Sequence, residues 1–260
     1  MRKNPVSGHA LLAIICLFAF AHAHGESNIT PTSSAAEGMA NRTILIIGDS
    51  HMVHKDYLID RLHESLTQQG AKVYSFGACG ATPTDYLVSH KTDCGRASRL
   101  ENGGQKLEEG AAVLVWNAKE LIAKYNPNML IIVVGDTLGA YRQSDFPKAW
   151  IWDEVSALTK VLKSANLACH WVGPPWGSEG GKFGKTFARV KQLSDYLSKT
   201  VSPCHYIDTT AMVKPGQWKS FDGQHLNNAG YKAWAAAITE SIASPSSASA
   251  AAPAADQESW

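Results

Sequence analysis

The sequence predicts an α/β fold, a three-layer α/β/α sandwich around a five-stranded parallel sheet. Three observations carry this. Short apolar β-rich runs alternate with segments of helical periodicity. The most apolar run, "NMLIIVVGDT", has no polar face and suits a strand covered on both sides. The unusual sequences "GDSH", "GACGATP", "GDTLGAYR" and "GPPWG" each follow a predicted strand. Ligands bind at that edge of an open parallel sheet.

In chain order, "RTILIIGDS" reads as a buried strand that stops at a glycine. "YLIDRLHESLTQQG" has apolar residues at helical spacing and a glycine stop. "AKVYSFGACG" is a second strand, and "GQKLEEGAAVLVWNAKELIAKYNP" reads as mostly helical. "NMLIIVVGDT" is the central strand. "WDEVSALTKVLKSAN" is a helix, "CHWVGPP" a strand and "FGKTFARVKQLSDYLSKT" a helix. "CHYIDTT" is the last strand and "NNAGYKAWAAAITESIA" the closing helix, with Asn227 or Asn228 able to cap its first turn. Crossovers between such strands are right-handed.

The chain has 260 residues and 45% hydrophobic content, enough for one sizeable domain. Arg2 and Lys3, the run "ALLAIICLFAFA" and Ala21-His22-Ala23 have the pattern of a secretory signal peptide over residues 1–23. The run is short for a membrane span, and the alternative is an uncleaved anchor. Residues 24–41 read as a flexible leader and 244–260 as a low-complexity, disordered tail. The folded domain is expected over residues 42–243. Removal of residues 1–23 takes the formal charge from +1 to −1. No basic block remains, which argues against nucleic acid or an anionic membrane as the partner.

Cys79, Cys94, Cys169 and Cys204 follow the leader. An even count in an exported chain suggests disulfides, with three pairings open. Cys79–Cys94 would close a short loop. Cys169 and Cys204 each precede a strand-like run, at the same end of adjacent strands. The alternative is four buried thiols. Their spacing does not resemble a zinc site.

Ser50 lies at the strand end in "LIIGDSHMVH". A serine hydroxyl becomes nucleophilic only when a base takes its proton and a third group orients that base. "DGQHLNNAGY" supplies Asp222 and His225, three residues apart in a loop that leads into a helix. Asp49 reads as structural, bonding nearby backbone amides. Trp150, Trp152, Trp176 and Trp218 fall in expected loops, several on the rim, where indoles can stack on sugars or apolar groups.

Most of residues 44–234 resembles the SGNH hydrolases, or GDSL esterase/lipase superfamily. Gly48-Asp49-Ser50 is similar to the first family block, "SFGACGAT" to the second and "DGQHLNNAGY" to the last. "WVGPP" resembles the run this family often carries on its fourth strand. The resemblance implies the flavodoxin-like SGNH fold, with Ser50, Asp222 and His225 as catalytic triad. It also implies an oxyanion hole from the Ser50 and Gly80 amides, with no metal and no cofactor.

The third block departs. Thr137 in "VVGDTLG" stands where the family has an oxyanion asparagine, beside Asp136. Thr137 could donate through its hydroxyl, or Arg142 could move in, or the enzyme is slow. His51 replaces the leucine of "GDSL" and resembles SGNH domains associated with sugar O-acyltransferases, where it could contact substrate. Further substrate-binding candidates are Arg142, Trp176 and Trp218. The expected protein is a periplasmic or secreted serine esterase acting on O-acetyl esters of a carbohydrate. It would have no stable membrane insertion once processed. The alternatives are a polysaccharide O-acetyltransferase with the same triad and a weakly active or inactive carbohydrate-binding relative.

Overall fold

The computed structural model describes residues 39–243. The expected signal peptide, most of the leader and the tail lie outside the described residues. Seven strands form one sheet: β1 Thr43–Gly48, β2 Lys72–Ala78, β3 Gly95–Leu100, β4 Lys106–Glu109, β5 Met129–Val133, β6 Ala168–Val172 and β7 His205–Ile207, in the order β4-β3-β2-β1-β5-β6-β7. Five of them, β2-β1-β5-β6-β7, run parallel and are the five predicted strands. The sheet as a whole is seven-stranded and mixed, because β3 runs antiparallel to β2 and β4 antiparallel to β3.

This corrects two expectations. "GRASRL" has one buried apolar side chain, Ala97, and shows no apolar run. "KLEE", expected within a helix, forms a fully exposed edge strand. Helix-forming side chains there lose to backbone pairing with β3, since an edge strand buries little and its side chains face water. Helical structure in that stretch begins only at Ala118.

Among the described residues the helical layers are formed by α1 Leu58–Gln68, α2 Ala118–Tyr125, α3 Lys148–Ser164, α4 Phe187–Thr200, the short α5 Thr209–Met212 and α6 Asn228–Ala243. Successive side chains of β1 serve opposite faces, as strand pleating requires. Leu45 and Ile47 pack with Leu121 of α2, Val155 and Leu158 of α3 and Leu193 of α4. Ile44 and Ile46 pack with Leu62 and Leu66 of α1 and Trp234 and Ile238 of α6. Burial of both faces explains why β1 and β5 read as unbroken apolar runs.

Asn227 caps α6: its Oδ1 accepts from the Gly230 amide at 2.9 Å. Trp150 and Trp152, expected in a loop, lie on the first turns of α3. Both disulfides form as expected, Cys79–Cys94 and Cys169–Cys204. Cys169 and Cys204 stand one residue before the paired His170 and His205 of β6 and β7. No helix among the described residues is long and apolar enough to cross a membrane.

Candidate active site

β1 ends at Gly48, and the chain turns at once into a 3₁₀ turn, Ser50–Met52. Gly48 and Gly77 let this turn lie on the sheet. A Cβ on Gly77 would fall 1.9 Å from the Met52 carbonyl oxygen. Asp49 is buried, and its carboxylate accepts from the His51 amide at 3.0 Å and the Gly135 amide at 3.2 Å. It ties the end of β1 to the loop after β5, the structural role its sequence position suggested. Burial pushes its carboxyl up, offset in part by His51.

Ser50 Oγ lies 2.7 Å from His225 Nε2. His225 Nδ1 lies 2.8 Å from Asp222 Oδ2. A carboxylate only accepts, so Nδ1 carries the proton and Nε2 is free to accept from the Ser50 hydroxyl. The other Asp222 oxygen accepts from the His225 and Gln224 amides. Burial pushes the Asp222 carboxyl up, but hydrogen bonds from the His225 ring, its amide and Gln224 outweigh this and hold it low. Burial, helped by His51, draws His225 below its ordinary range, while Asp222 pulls the other way. The lowered value favours the neutral imidazole at neutral pH, with Nε2 able to accept a proton.

Gly80 follows β2 on the same rim with φ +79°. A Cβ there would fall 2.1 Å from Asp93 Oδ2 and would be strained at that angle. The Cys79–Cys94 bridge pins this turn to the start of β3. Among the backbone hydrogen bonds of the described residues, none is donated by the Ser50 or Gly80 amides. Ser50, Gly80, Thr137, Arg142, Phe183 and His225 line one cavity of about 460 Å³. That volume suits a small-molecule site.

The remaining expected residues divide. Arg142 does line the cavity, with its guanidinium donating to the Lys182 carbonyl. Thr137 lines it too, but its hydroxyl donates to the Ala81 carbonyl at 2.9 Å. A hydroxyl has one proton, so that donor is committed to the loop after β2. His51 does not reach substrate space. It is 1% exposed, with Nδ1 2.8 Å from the Tyr231 hydroxyl and Nε2 2.8 Å from Asp136. Trp176 is buried, and its indole N–H donates to the Val213 and Thr210 carbonyls. Trp218 packs at the edge of the core that contains α6. None of these three lines the cavity. Buried apolar partners claimed the indoles that loop position had suggested for the rim.

Sequence reading missed the groups around Asp136. Lys185 is fully buried and places Nζ 2.7 Å from both Asp136 oxygens. Tyr141 donates its hydroxyl to the same carboxylate. Burial alone would raise the Asp136 carboxyl, but Lys185 and His51 hold it well below the usual range. Lys185 lies in "GKFGKTF", which carries no pattern that marks a buried cation. Phe183, edge-on to the His225 ring at 5.5 Å, was missed for the same reason.

No protein-family model matches the chain. It is 36% identical over 203 residues to Protein BcsX of Komagataeibacter xylinus, covering 78% of this chain and 77% of that protein. The fold is similar to a DUF4886 family protein from Bacteroides uniformis ATCC 8492, at TM-score 0.52 and 14% identity, over 78% of this chain and 82% of that one. It is also similar to the acetyl xylan esterase AlAXEase, at TM-score 0.50 and 14% identity, over 76% and 99%. Such low identities speak to the fold alone, on which the ordered sequence blocks resemble those of the SGNH hydrolases. The chain belongs to the family of Protein BcsX.

Proposed function

We propose that the protein is a serine esterase that cleaves short acyl esters of a carbohydrate through an acyl-enzyme on Ser50. The observation that carries this is the unbroken relay of Ser50, His225 and Asp222 at the wall of an accessible cavity. Ser50 Oγ attacks the ester carbonyl as its proton passes to His225 Nε2. The carbonyl oxygen becomes an anion, to which the Ser50 and Gly80 amides donate. His225 then protonates the departing alcohol, and the carbonyl re-forms as an acyl group on Ser50. In the second half His225 takes a proton from water as it attacks the acyl carbon, and then returns that proton to Ser50 Oγ as the acid is released. Asp222 holds the imidazole tautomer and steadies the imidazolium.

The acetyl ester of a sugar is the favoured substrate. AlAXEase, which shares the fold, is an acetyl xylan esterase, and the cavity is large enough to admit a sugar ring with a small acyl group. Two disulfides support an oxidising, exported location. The test is release of acetate from acetylated glycans by the protein lacking residues 1–23. Mass spectrometry should show an acyl group on Ser50 in quenched reactions. A protein that releases no acid from any ester, and takes no label at Ser50, overturns the reading. Transfer to a sugar hydroxyl uses the same relay, and acetylated acceptor among the products would identify it.

A further inference from the structure

We infer that Lys185 is a positioning residue, whose ammonium cancels the Asp136 carboxylate so that an acid can occupy the third oxyanion block without repelling the oxyanion. The inference rests on the esterase reading above. Asp136 lines the same cavity as Ser50 and Gly80, in the block where the superfamily resemblance leads one to expect a neutral amide donor. An uncancelled carboxylate there would oppose the negative charge that forms on the substrate oxygen. The structure answers this with a fully buried lysine, symmetric on both carboxylate oxygens at 2.7 Å. Breaking such a pair by removing one partner leaves a buried charge with no counterion.

The other groups that face this pair are accounted for. His51 Nε2–H and the Tyr141 hydroxyl donate to Asp136. Asp49 lies close enough to act on Asp136 and Lys185, and Asp222 acts on Lys185. Asp136 also acts on His225. Two donors and one cation converge on one carboxylate, and Lys185 supplies the full positive charge.

Lys185 sits in a strap of residues 177–186 that also touches the triad loop. Ser178 and Lys182 amides donate to the Gly223 and Asp222 carbonyls. A purely structural role, anchoring this strap, is the rival explanation. The two differ in what neutralising Asp136 does. With Lys185→Met alone, burial and Asp49 would push the Asp136 carboxyl up, so it takes a proton as pH falls. The defect should then be greatest at alkaline pH and shrink on acidification. With Asp136→Asn added, no charge remains to repel the oxyanion, and the defect should largely vanish if the role is electrostatic.

The experiment is steady-state kinetics on 4-nitrophenyl acetate between pH 5 and 9 (~10⁴-fold range in proton activity) for the parent, Lys185→Met and Lys185→Met/Asp136→Asn. Melting curves accompany each variant. Lys185→Met should lower kcat by about 10- to 100-fold at the alkaline end with KM little changed. Its activity relative to the parent should rise toward the acidic end. The double variant should recover to within about fivefold of the parent, without the added pH dependence. A folded Lys185→Met with parental kcat overturns the inference, as does a double variant no better than the single. Should Lys185→Met not fold, the double variant decides alone, and a kcat loss beyond about tenfold overturns the electrostatic role. Labelling of the parent by a serine-directed phosphonate separates the two readings. An unlabelled parent sinks the esterase assignment itself, whereas equal labelling rates for parent and Lys185→Met sink only the inference about Lys185.

Discussion

Ser50 Oγ and His225 Nε2 stand 2.7 Å apart although 175 positions separate them in the chain. The contact exists because β1 ends at the same rim to which the Asp222–His225 loop returns before α6. Replacing Ser50 with alanine should abolish acyl-enzyme formation while leaving the melting temperature within a few degrees, since the hydroxyl's loss removes one hydrogen bond of about 1 kcal/mol. A phosphonate should label the parent at Ser50 and leave the alanine variant untouched. Hydrolysis persisting at parental rate in that variant would remove the triad from the mechanism.

The pH profile should report His225. Burial draws the imidazole below its ordinary range, and Asp222 partly offsets this. The base works when neutral, so kcat/KM should rise with pH and reach half its plateau below the usual histidine value of about 6.5. Asp222→Asn removes the group that pulls the histidine upward. Its half-plateau should move to still lower pH, while the plateau itself falls, by up to about 10⁴-fold in the best-studied triad. A half-plateau well above the ordinary histidine range would contradict the burial argument.

Thr137→Val tests the odd third block. The hydroxyl donates to the Ala81 carbonyl in the loop after β2, so its removal should cost about 1 kcal/mol of stability. Because its proton is committed there, kcat should fall less than about tenfold. A loss of 10²–10³, typical of a deleted oxyanion donor, with an unchanged melting temperature would restore Thr137 as a direct donor.

The two disulfides should separate by effect. In the chain-entropy account, loops of 15 and 35 residues are each worth about 3–4 kcal/mol. Cys169→Ser/Cys204→Ser should therefore lower the melting temperature and leave kcat of the folded enzyme nearly intact. Cys79→Ser/Cys94→Ser should lower both, because that bridge pins the Gly80 turn beside the cavity. Thiol titration of the unfolded, unreduced protein lacking residues 1–23 provides the check on the bridges. Four reactive thiols would exclude them.

The sequence by itself determined the parallel core of this protein and its relay. β1, β2, β5, β6 and β7 were legible because strands buried on both faces must be apolar throughout, and helices between them must carry one apolar face. The disulfides were legible from the positions of four cysteines relative to two of those strands and one loop. Ser50, Asp222 and His225, which the fold brings within hydrogen-bond distance, were legible as residue types of a nucleophile, base and acid set, the first at a strand end and the other two in the loop before the closing helix. β3 and β4 were not, since a thin edge hairpin buries almost no side chain and leaves no periodicity. Only the tertiary structure decided what surrounds Asp136. His51 could be read as a surface group and Lys185 as any loop lysine, because burial of a charge depends on a partner far along the chain. The same holds for Trp176 and Trp218. An indole's preference for the core is a matter of what packs around it, and local sequence does not encode that packing.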